Sequence, residues 1–179
     1  RQALTESTLL SVAGGVDFPS AGTATILGAR LGRVDVFALR ERIGFVDARA
    51  AQRFAPELTV AQIVETGATQ TIGWFPERST AASVARTEEL IALFRLEHLI
   101  VRRFGLCSHG ERTRTLIARS LVPRPRLLLL DEPGSGLDLL GRETLLGALD
   151  RLTAADPELA VVMTTHHLEE LPRSCSHAL

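Results

Sequence analysis

A run of four leucines, Leu127 to Leu130, restricts the possible folds of this chain more than any other feature of its sequence. The run is far too short to cross a bilayer as a helix, which takes about 20 apolar residues. A short continuous apolar run that ends in polar residues is typical of a strand buried on both faces, as in a parallel sheet flanked by helices. We therefore predict an α/β protein with this strand at its centre.

Strands and helices alternate on either side of the leucine run. Helical spacing covers Glu111–Val122 and Leu140–Ala154, and a second apolar strand is predicted at Leu159–Thr164. This alternation predicts a mostly parallel sheet with helices on its faces and with ligands near the carboxyl ends of the strands. Shorter elements are also predicted: a helix that ends before Gly14, strands at Thr23–Leu27 and Ile43–Val46, and helices at Val36–Arg42 and His167–Leu171.

Residues 58–104 differ from the rest of the chain in their hydrophobic pattern. Helical spacing at Val60–Val64 and Ala81–Leu96 is not interrupted by a predicted strand. This part is predicted to be an inserted helical subdomain that continues through the helix beginning near Glu111. The chain is accordingly divided into an N-terminal core part, the helical subdomain and a C-terminal core part: residues 1–57, 58–122 and 123–179.

The charge of the chain is nearly balanced, with 20 Lys or Arg against 21 Asp or Glu and a net charge of −1. This balance argues against a nucleic-acid partner. The two cysteines have neither the spacing of a metal site nor the number of a disulfide framework, which favours a reduced, cytoplasmic compartment. All the basic residues other than histidine are arginine, so no lysine is present anywhere in the sequence.

Asp131 and Glu132 follow the leucine strand directly. Two carboxylates at the carboxyl edge of a sheet suit a bound Mg²⁺–phosphate, with Asp131 on the metal and Glu132 polarising an attacking water. An acidic turn that leaves the hydrophobic core is the alternative explanation.

Ser108 and Glu111 have the S-x-x-E spacing of a helix capping box. A hydroxyl and free backbone N–H groups at the same helix start could bind an anion. The absence of a side chain at Gly110 permits the anion to approach the backbone closely. The structural and the functional interpretations of this segment are compatible.

Two further polar segments lie downstream. Residues 135–138 have the composition of a turn and a helix start. His166, at the end of the last apolar strand, could donate a hydrogen bond to a phosphate oxygen or could simply be a surface residue. Neither segment is specific when it is taken alone.

In their fixed order, these segments resemble the ATP-binding subunits of ABC transporters. The similarities are to the signature motif at residues 107–111 (with Cys107 in place of the usual leucine), the Walker B strand at residues 127–133, the D-loop at residues 135–138, the switch histidine at His166 and the Q-loop glutamine at Gln52. The resemblance runs through essentially the whole chain.

The resemblance implies a P-loop NTPase-like fold that binds ATP and Mg²⁺. It assigns Asp131 to the metal, Glu132 to the base that activates water and His166 to the γ-phosphate. The implied nucleotide contacts are Ser7, Thr8, Gln52, Ser108, Gly110 and Asp138, and Ser7 is also an implied metal ligand.

Partners and location are also implied by the resemblance. In this family, nucleotide-binding domains form a homo- or heterodimer in which the residue equivalent to Ser108 contacts ATP held by the other copy. A transmembrane permease is the expected second partner. The chain is then expected in the cytoplasm, peripheral on the inner face of the cell membrane.

The phosphate-binding loop departs from the family pattern. A P-loop reads G-x-x-x-x-G-K-[ST] before a helix, and Ser7-Thr8 fit its end, but Glu6 stands at the lysine position and Thr5 at the second glycine. At ~4 Å and an effective dielectric near 20, a charge pair is worth about 4 kcal/mol, so a reversed sign opposes phosphate binding strongly. The Cβ of Thr5 also crowds a backbone that must wrap phosphates. We expect weak binding of Mg-ATP.

Two functions remain open from the sequence. The intact Asp131–Glu132 pair favours an energy-coupling ATPase subunit, whereas Thr5 and Glu6 favour a non-hydrolysing regulatory or scaffolding subunit. A soluble ABC-type protein of translation or DNA repair is disfavoured, because the sequence shows neither two cassettes nor a long coiled-coil insertion.

Overall fold

The computed structural model describes residues 6–47 and 49–178. The helices and strands in chain order are α1 (Glu6–Ala13), β1 (Thr25–Ile26), β2 (Ala29–Arg30), α2 (Val36–Arg40), β3 (Ile43–Val46), α3 (Val60–Glu65), α4 (Ala81–Leu93), α5 (His109–Leu121), β4 (Leu127–Asp131), α6 (Leu139–Ala155) and β5 (Ala160–Thr164). Short 3₁₀ helices lie at Ala50–Arg53, Thr66–Ala68, Pro76–Arg78, Glu97–Leu99, Phe104–Leu106 and Leu168–Glu170.

The leucine strand β4 is the middle strand of a three-stranded sheet in the order β3-β4-β5, and both of its pairings are parallel. Leu128, Leu129 and Leu130 are 0% exposed. Because successive side chains of a strand point to opposite faces, Leu128 and Leu130 join one hydrophobic cluster while Leu127 and Leu129 join another. The prediction of a strand buried on both faces is confirmed.

Helices cover both faces of this sheet. The larger cluster packs α3, α4, α5 and α6 against one face. The smaller cluster packs α1, α2 and the β1-β2 hairpin against the other, through Leu10, Ile26, Leu31 and Leu39. The architecture is therefore the predicted one, an α/β fold with a parallel sheet between helices.

The helical segment between β3 and α5 begins and ends at one place. The backbone N–H of Phe104 donates to the carbonyl of Leu58 at 2.8 Å, and that of Val60 donates to Arg102 at 3.0 Å. The two ends of the segment are thus held side by side, as an inserted subdomain requires. The boundaries at residues 57 and 122 stay predictions.

Two local predictions are corrected. The strand expected at Thr23–Leu27 is only β1, which pairs with β2 in a separate hairpin because Leu27 and Gly28 both have positive φ (49° and 78°), as in a type I′ turn. The helix expected at His167–Leu171 is only the 3₁₀ turn Leu168–Glu170. Pro172 explains the short turn, since a residue before proline is disfavoured in the α region.

No helix in the described ranges combines the length and the apolar character that crossing a bilayer would take.

Candidate functional site

The first group of predicted site residues meets at the carboxyl end of β4. The Ser7 hydroxyl donates to Asp131 Oδ1 at 3.2 Å, and the Thr164 hydroxyl donates to the same oxygen at 2.8 Å. Helix α1 and strands β4 and β5 therefore converge on one carboxylate. The sheet register explains the Thr164 contact, because Asp131 and Thr164 are direct partners across β4 and β5.

Glu132 leaves the sheet in the left-handed region, with φ of 47°. This conformation is uncommon for a non-glycine residue and clusters at functional sites. The Glu132 N–H donates to Thr164 Oγ1 at 3.1 Å, so the threonine hydroxyl accepts from Glu132 while it donates to Asp131. Thr164 thereby fixes the carboxylate of Asp131, the predicted metal ligand, and the backbone of Glu132, the predicted base, from the neighbouring strand.

The carboxylate of Glu132 contacts the predicted switch histidine. His166 Nε2 lies 2.9 Å from Glu132 Oε1, and the side chains remain 66% and 41% exposed, respectively. This geometry suits a hydrogen bond from a neutral imidazole or an ion pair with a protonated one. Both groups are accessible to a solvent molecule or to a phosphate.

Helix α1 carries the predicted P-loop residues. Glu6 is its first residue and is exposed; Ser7 faces Asp131; Thr8 follows as a half-buried residue of the same turn. A carboxylate in the first turn of a helix is favoured by the helix dipole, which explains Glu6 structurally. Thr5 lies outside the described residues.

The second group lines an open cleft of about 540 Å³ between the starts of α5 and α6. Ser108, Gly110 and Asp138 all contribute to its wall. The structure thus brings the predicted signature and D-loop residues together at one cleft.

The Ser108 capping box is present. The Glu111 N–H donates to Ser108 Oγ at 3.3 Å, and the Ser108 N–H donates to Glu111 Oε2 at 2.7 Å. A Cβ at Gly110 would lie 2.9 Å from Leu137 Cδ2. The small size of Gly110 therefore admits the D-loop leucine, in addition to any ligand that reaches the helix start.

Asp138 caps α6, because its carboxylate accepts from the Gly141 N–H at 2.8 Å. Arg114 is buried beside it, and burial lowers the pKa of the guanidinium while Glu111 and Asp138 act in the opposite direction. Within the described residues, Arg114 Nε has no hydrogen-bond partner. The cleft thus holds a desolvated positive charge next to the D-loop carboxylate.

Gln52 is not part of either group. It lies exposed in the 3₁₀ helix Ala50–Arg53, and in residues 6–47 and 49–178 no hydrogen bond joins its side chain to the other predicted site residues. Its role as a nucleotide contact stays a prediction.

Two residues of the sheet edge were missed from the sequence. Thr164 binds both Asp131 and Glu132, and Glu170 packs below the turn that follows Glu132. Only the position of Thr164 at the end of an apolar strand could have pointed to it, since the register of β5 is not readable from the sequence.

The edge of the sheet presents oxygen donors of the kind that Mg²⁺ prefers. Ser7 and Asp131 present oxygen donors, whereas no group of three or more His, Cys, Asp or Glu side chains that could hold a metal occurs among the described residues. Mg²⁺ commonly binds through one or two carboxylates together with substrate phosphates. The donor set present therefore fits this ion.

Residues 6–135 match the protein-family model described as ABC transporter. The chain is 33% identical over 175 residues to an ABC transporter ATP-binding protein of Streptococcus mutans, covering 97% of this chain and 66% of that one. It is 34% identical over 158 residues to the ABC transporter ATP-binding protein YlmA of Bacillus subtilis, covering 86% and 58%. The chain thus spans less than two thirds of the length of each of these relatives.

A solved structure is also similar. It is a dimer of the ATP-binding cassette MJ0796 in a post-hydrolysis state, bound to ADP and Pi. The match has a TM-score of 0.77 at 27% sequence identity and covers 92% of this chain and 71% of that one.

Proposed function

Because this chain belongs to the ABC transporter family, we propose that it is part of a nucleotide-binding domain that couples ATP binding and hydrolysis to transport across a membrane. The observation that carries this proposal is the 2.9 Å contact between His166 and Glu132, beside the carboxylate that Ser7 and Thr164 hold in place. A base, a phosphate-binding imidazole and a metal-binding carboxylate are thereby gathered at one edge of the sheet.

Each residue has a distinct task in this proposal. Asp131 and Ser7 would hold Mg²⁺, which would supply positive charge against the phosphates when bound. Glu132 accepts a proton from the water that attacks the γ-phosphorus, and His166 donates a hydrogen bond to a γ-phosphate oxygen. The bond between the γ-phosphorus and the β–γ bridging oxygen breaks, and the products are ADP and inorganic phosphate.

In this proposal, the cleft between the starts of α5 and α6 binds the nucleotide of a partner copy. Ser108 and the free N–H groups at the start of α5 would contact ATP held by a second nucleotide-binding domain, identical or different. The dimeric state of the similar MJ0796 cassette supports this arrangement. A transmembrane permease is the further partner proposed, which places the chain at the inner face of the membrane.

A second candidate function is a non-hydrolysing regulatory or scaffolding subunit. The specific observation that favours it is Glu6, an exposed carboxylate one residue before the proposed metal ligand Ser7. Its charge opposes the phosphates that a P-loop lysine would attract. A dimer with one competent subunit would accommodate such a chain.

A double substitution separates the two candidates. We define the repaired variant as the chain carrying Thr5→Gly and Glu6→Lys. We expect it to bind a fluorescent ATP analogue with Mg²⁺ at least about tenfold more tightly than the unsubstituted chain, a gain of roughly 1.4 kcal/mol. Glu77→Lys makes the same charge reversal at an exposed site in the helical segment and is the matched control.

Three possible results distinguish the two candidate functions and test the impaired loop. Hydrolysis by the unsubstituted chain that disappears with Glu132→Gln supports the ATPase. Hydrolysis that appears only in the repaired variant, or tight binding by that variant without hydrolysis, supports the scaffolding subunit. Micromolar binding by the unsubstituted chain would show that the loop is not impaired.

The shared site has its own test. Ser108→Asp keeps a good helix N-cap but adds a charge that repels phosphate. In the repaired variant with Glu132→Gln, we expect this change to prevent ATP-dependent dimerisation, measured by light scattering. Thr80→Asp replaces the N-cap of α4 in the same way and should leave dimerisation unchanged.

A further inference from the structure

Glu170 is the one buried acidic residue in the part of the chain that the structure describes, with 3% of its surface exposed. Burying a carboxylate is costly unless it is paired or hydrogen-bonded. Glu170 follows the proposed switch histidine, and none of the roles proposed above uses it. Its burial therefore needs an explanation in terms of what it contacts.

The carboxylate has a partner on each side. The Thr165 hydroxyl donates to Glu170 Oε2 at 2.6 Å. Arg142 of α6 brings its Nε to 3.8 Å from Glu170 Oε1, and in the described residues this Nε has no hydrogen-bond partner. The guanidinium thus supplies a nearby positive charge, and the hydroxyl supplies the direct hydrogen bond.

The third neighbour of the carboxylate is the turn after Glu132. A Cβ built on Gly134 would lie 2.5 Å from Glu170 Cδ and within 2.8 Å of both carboxylate oxygens. Any side chain at position 134 would therefore displace either the turn or the carboxylate. Glycine is required here by close approach, since its φ is not in the left-handed region.

The contacts of Glu170 join the two segments that carry the proposed catalytic pair. Thr165 directly precedes His166, and Gly134 lies in the turn that Glu132 begins. One carboxylate thus touches the chain beside each partner of the 2.9 Å His166–Glu132 contact.

We propose that Glu170 is a positioning residue that sets the separation of His166 and Glu132, by binding Thr165 on one side and supporting the Gly134 turn on the other. Its catalytic meaning rests on the proposed function, whereas its effect on the His166–Glu132 contact does not. Movement of the Gly134 turn therefore changes the placement of His166, and the reverse holds as well.

The test uses Glu170→Ala, with Glu170→Gln as the conservative variant and Glu143→Ala as the matched control at an exposed glutamate of α6. Glutamine keeps the shape of the side chain and can still accept from Thr165. In the repaired variant, we expect Glu170→Ala to lower kcat for ATP by about tenfold to a hundredfold, since small misplacements of catalytic groups have effects of this size. KM should stay within about twofold, because the proposed metal ligands Ser7 and Asp131 are unchanged and the displaced groups act in the transition state.

A second readout does not depend on activity. The imidazole ¹H–¹³C NMR signals of His166 should move in Glu170→Ala, return towards their original positions in Glu170→Gln and stay in place in Glu143→Ala. Those of His98, in the helical segment, should remain fixed in all three. If the repaired variant lacks ATPase activity, the proposed function fails while the NMR signals still decide the role of Glu170.

Gly134→Ala provides a route that leaves Glu170 intact. Its methyl group would overlap the carboxylate, so it should reproduce both the kinetic and the NMR changes even if Glu170→Ala fails to fold. Unchanged His166 signals in folded Glu170→Ala or Gly134→Ala protein would overturn the proposal. A loss of thermal stability with kcat unaltered would also overturn the proposal, because it would show that Glu170 has only a structural role.

Discussion

The hydroxyl of Ser7 lies 3.2 Å from Oδ1 of Asp131, although the two residues are 124 positions apart in the sequence. This hydrogen bond joins the start of α1 to the end of β4. It places a hydroxyl and a carboxylate where a single Mg²⁺ could bind both. The arrangement makes the metal dependence of nucleotide binding a direct measure of the site.

Ser7→Ala and Asp131→Asn should each weaken Mg²⁺-dependent nucleotide binding in the repaired variant by at least about tenfold, because a metal ligand is lost in both. Titration of a fluorescent ATP analogue with Mg²⁺ and with EDTA measures the effect. Ser11→Ala removes a hydroxyl from the same helix and serves as the control. Equal affinities with and without Mg²⁺ in the repaired variant itself would contradict the metal assignment.

His166→Ala should lower the hydrolysis rate of the repaired variant by about 10²-fold or more, as expected for the loss of a group that acts in the transition state. His167→Ala removes the adjacent exposed histidine, whose Nδ1 lies 3.9 Å from Glu169, and should leave the rate within about twofold. Steady-state phosphate release gives both values. Similar losses in the two variants would show that the contact with Glu132 has no special part in catalysis.

The two cysteines should differ in reactivity, because the thiolate is the reactive form. Burial, followed by the nearby Glu111 carboxylate, raises the pKa of the Cys107 thiol, while Arg102 and Arg112 act against this shift. Cys175 is exposed. Near pH 8, Cys107 should alkylate at least about tenfold more slowly than Cys175, as followed by mass spectrometry of iodoacetamide adducts.

The same shift has a consequence for stability. A folded-state pKa above the unfolded one favours folding at low pH, and this contribution is lost as the pH rises through the raised value. Cys107→Ala should therefore show a smaller loss of stability at alkaline pH than the unsubstituted chain. Rapid alkylation of Cys107 in the folded protein would contradict its burial.

Leu129→Ala should lower the free energy of unfolding by about 2–5 kcal/mol, because Leu129 is completely buried and its loss leaves a cavity. Leu106→Ala changes a leucine that is 73% exposed and should cost no more than about 0.5 kcal/mol. Urea unfolding followed by circular dichroism compares them. A similar cost at both positions would mean that β4 does not form the centre of the core.

The leucine run allowed the centre of the fold to be predicted, because four consecutive leucines between polar residues fit a strand that has apolar neighbours on both faces. Boundaries were harder where local geometry decided them. The strand at Thr25–Ile26 ends at Leu27 and Gly28, whose positive φ values turn the chain back on itself. Leucine gives no sequence signal of that conformation.

The sequence predicts those residues of the candidate site that belong to recognisable motifs in a fixed order. It does not predict the residues whose contacts depend on the register of the strands. Asp131, Glu132 and His166 follow apolar strands, and parallel strands end at a common edge. Thr164 binds the Asp131 carboxylate and the Glu132 backbone N–H only because β5 pairs with β4 residue by residue, and this alignment has no local signature in the sequence. Glu170 was missed for a related reason, since its burial depends on the packing of α6 and of the turn at Gly134.

The hydrogen bonds between Phe104 and Leu58 and between Val60 and Arg102 close the helical segment at a single crossing. Gln52 lies shortly before this crossing in the chain, and Ser108 lies shortly after it. The two ends of the segment are therefore coupled directly through backbone hydrogen bonds. A displacement of the chain at Leu58 is transmitted to Phe104 without passing through the helices between them.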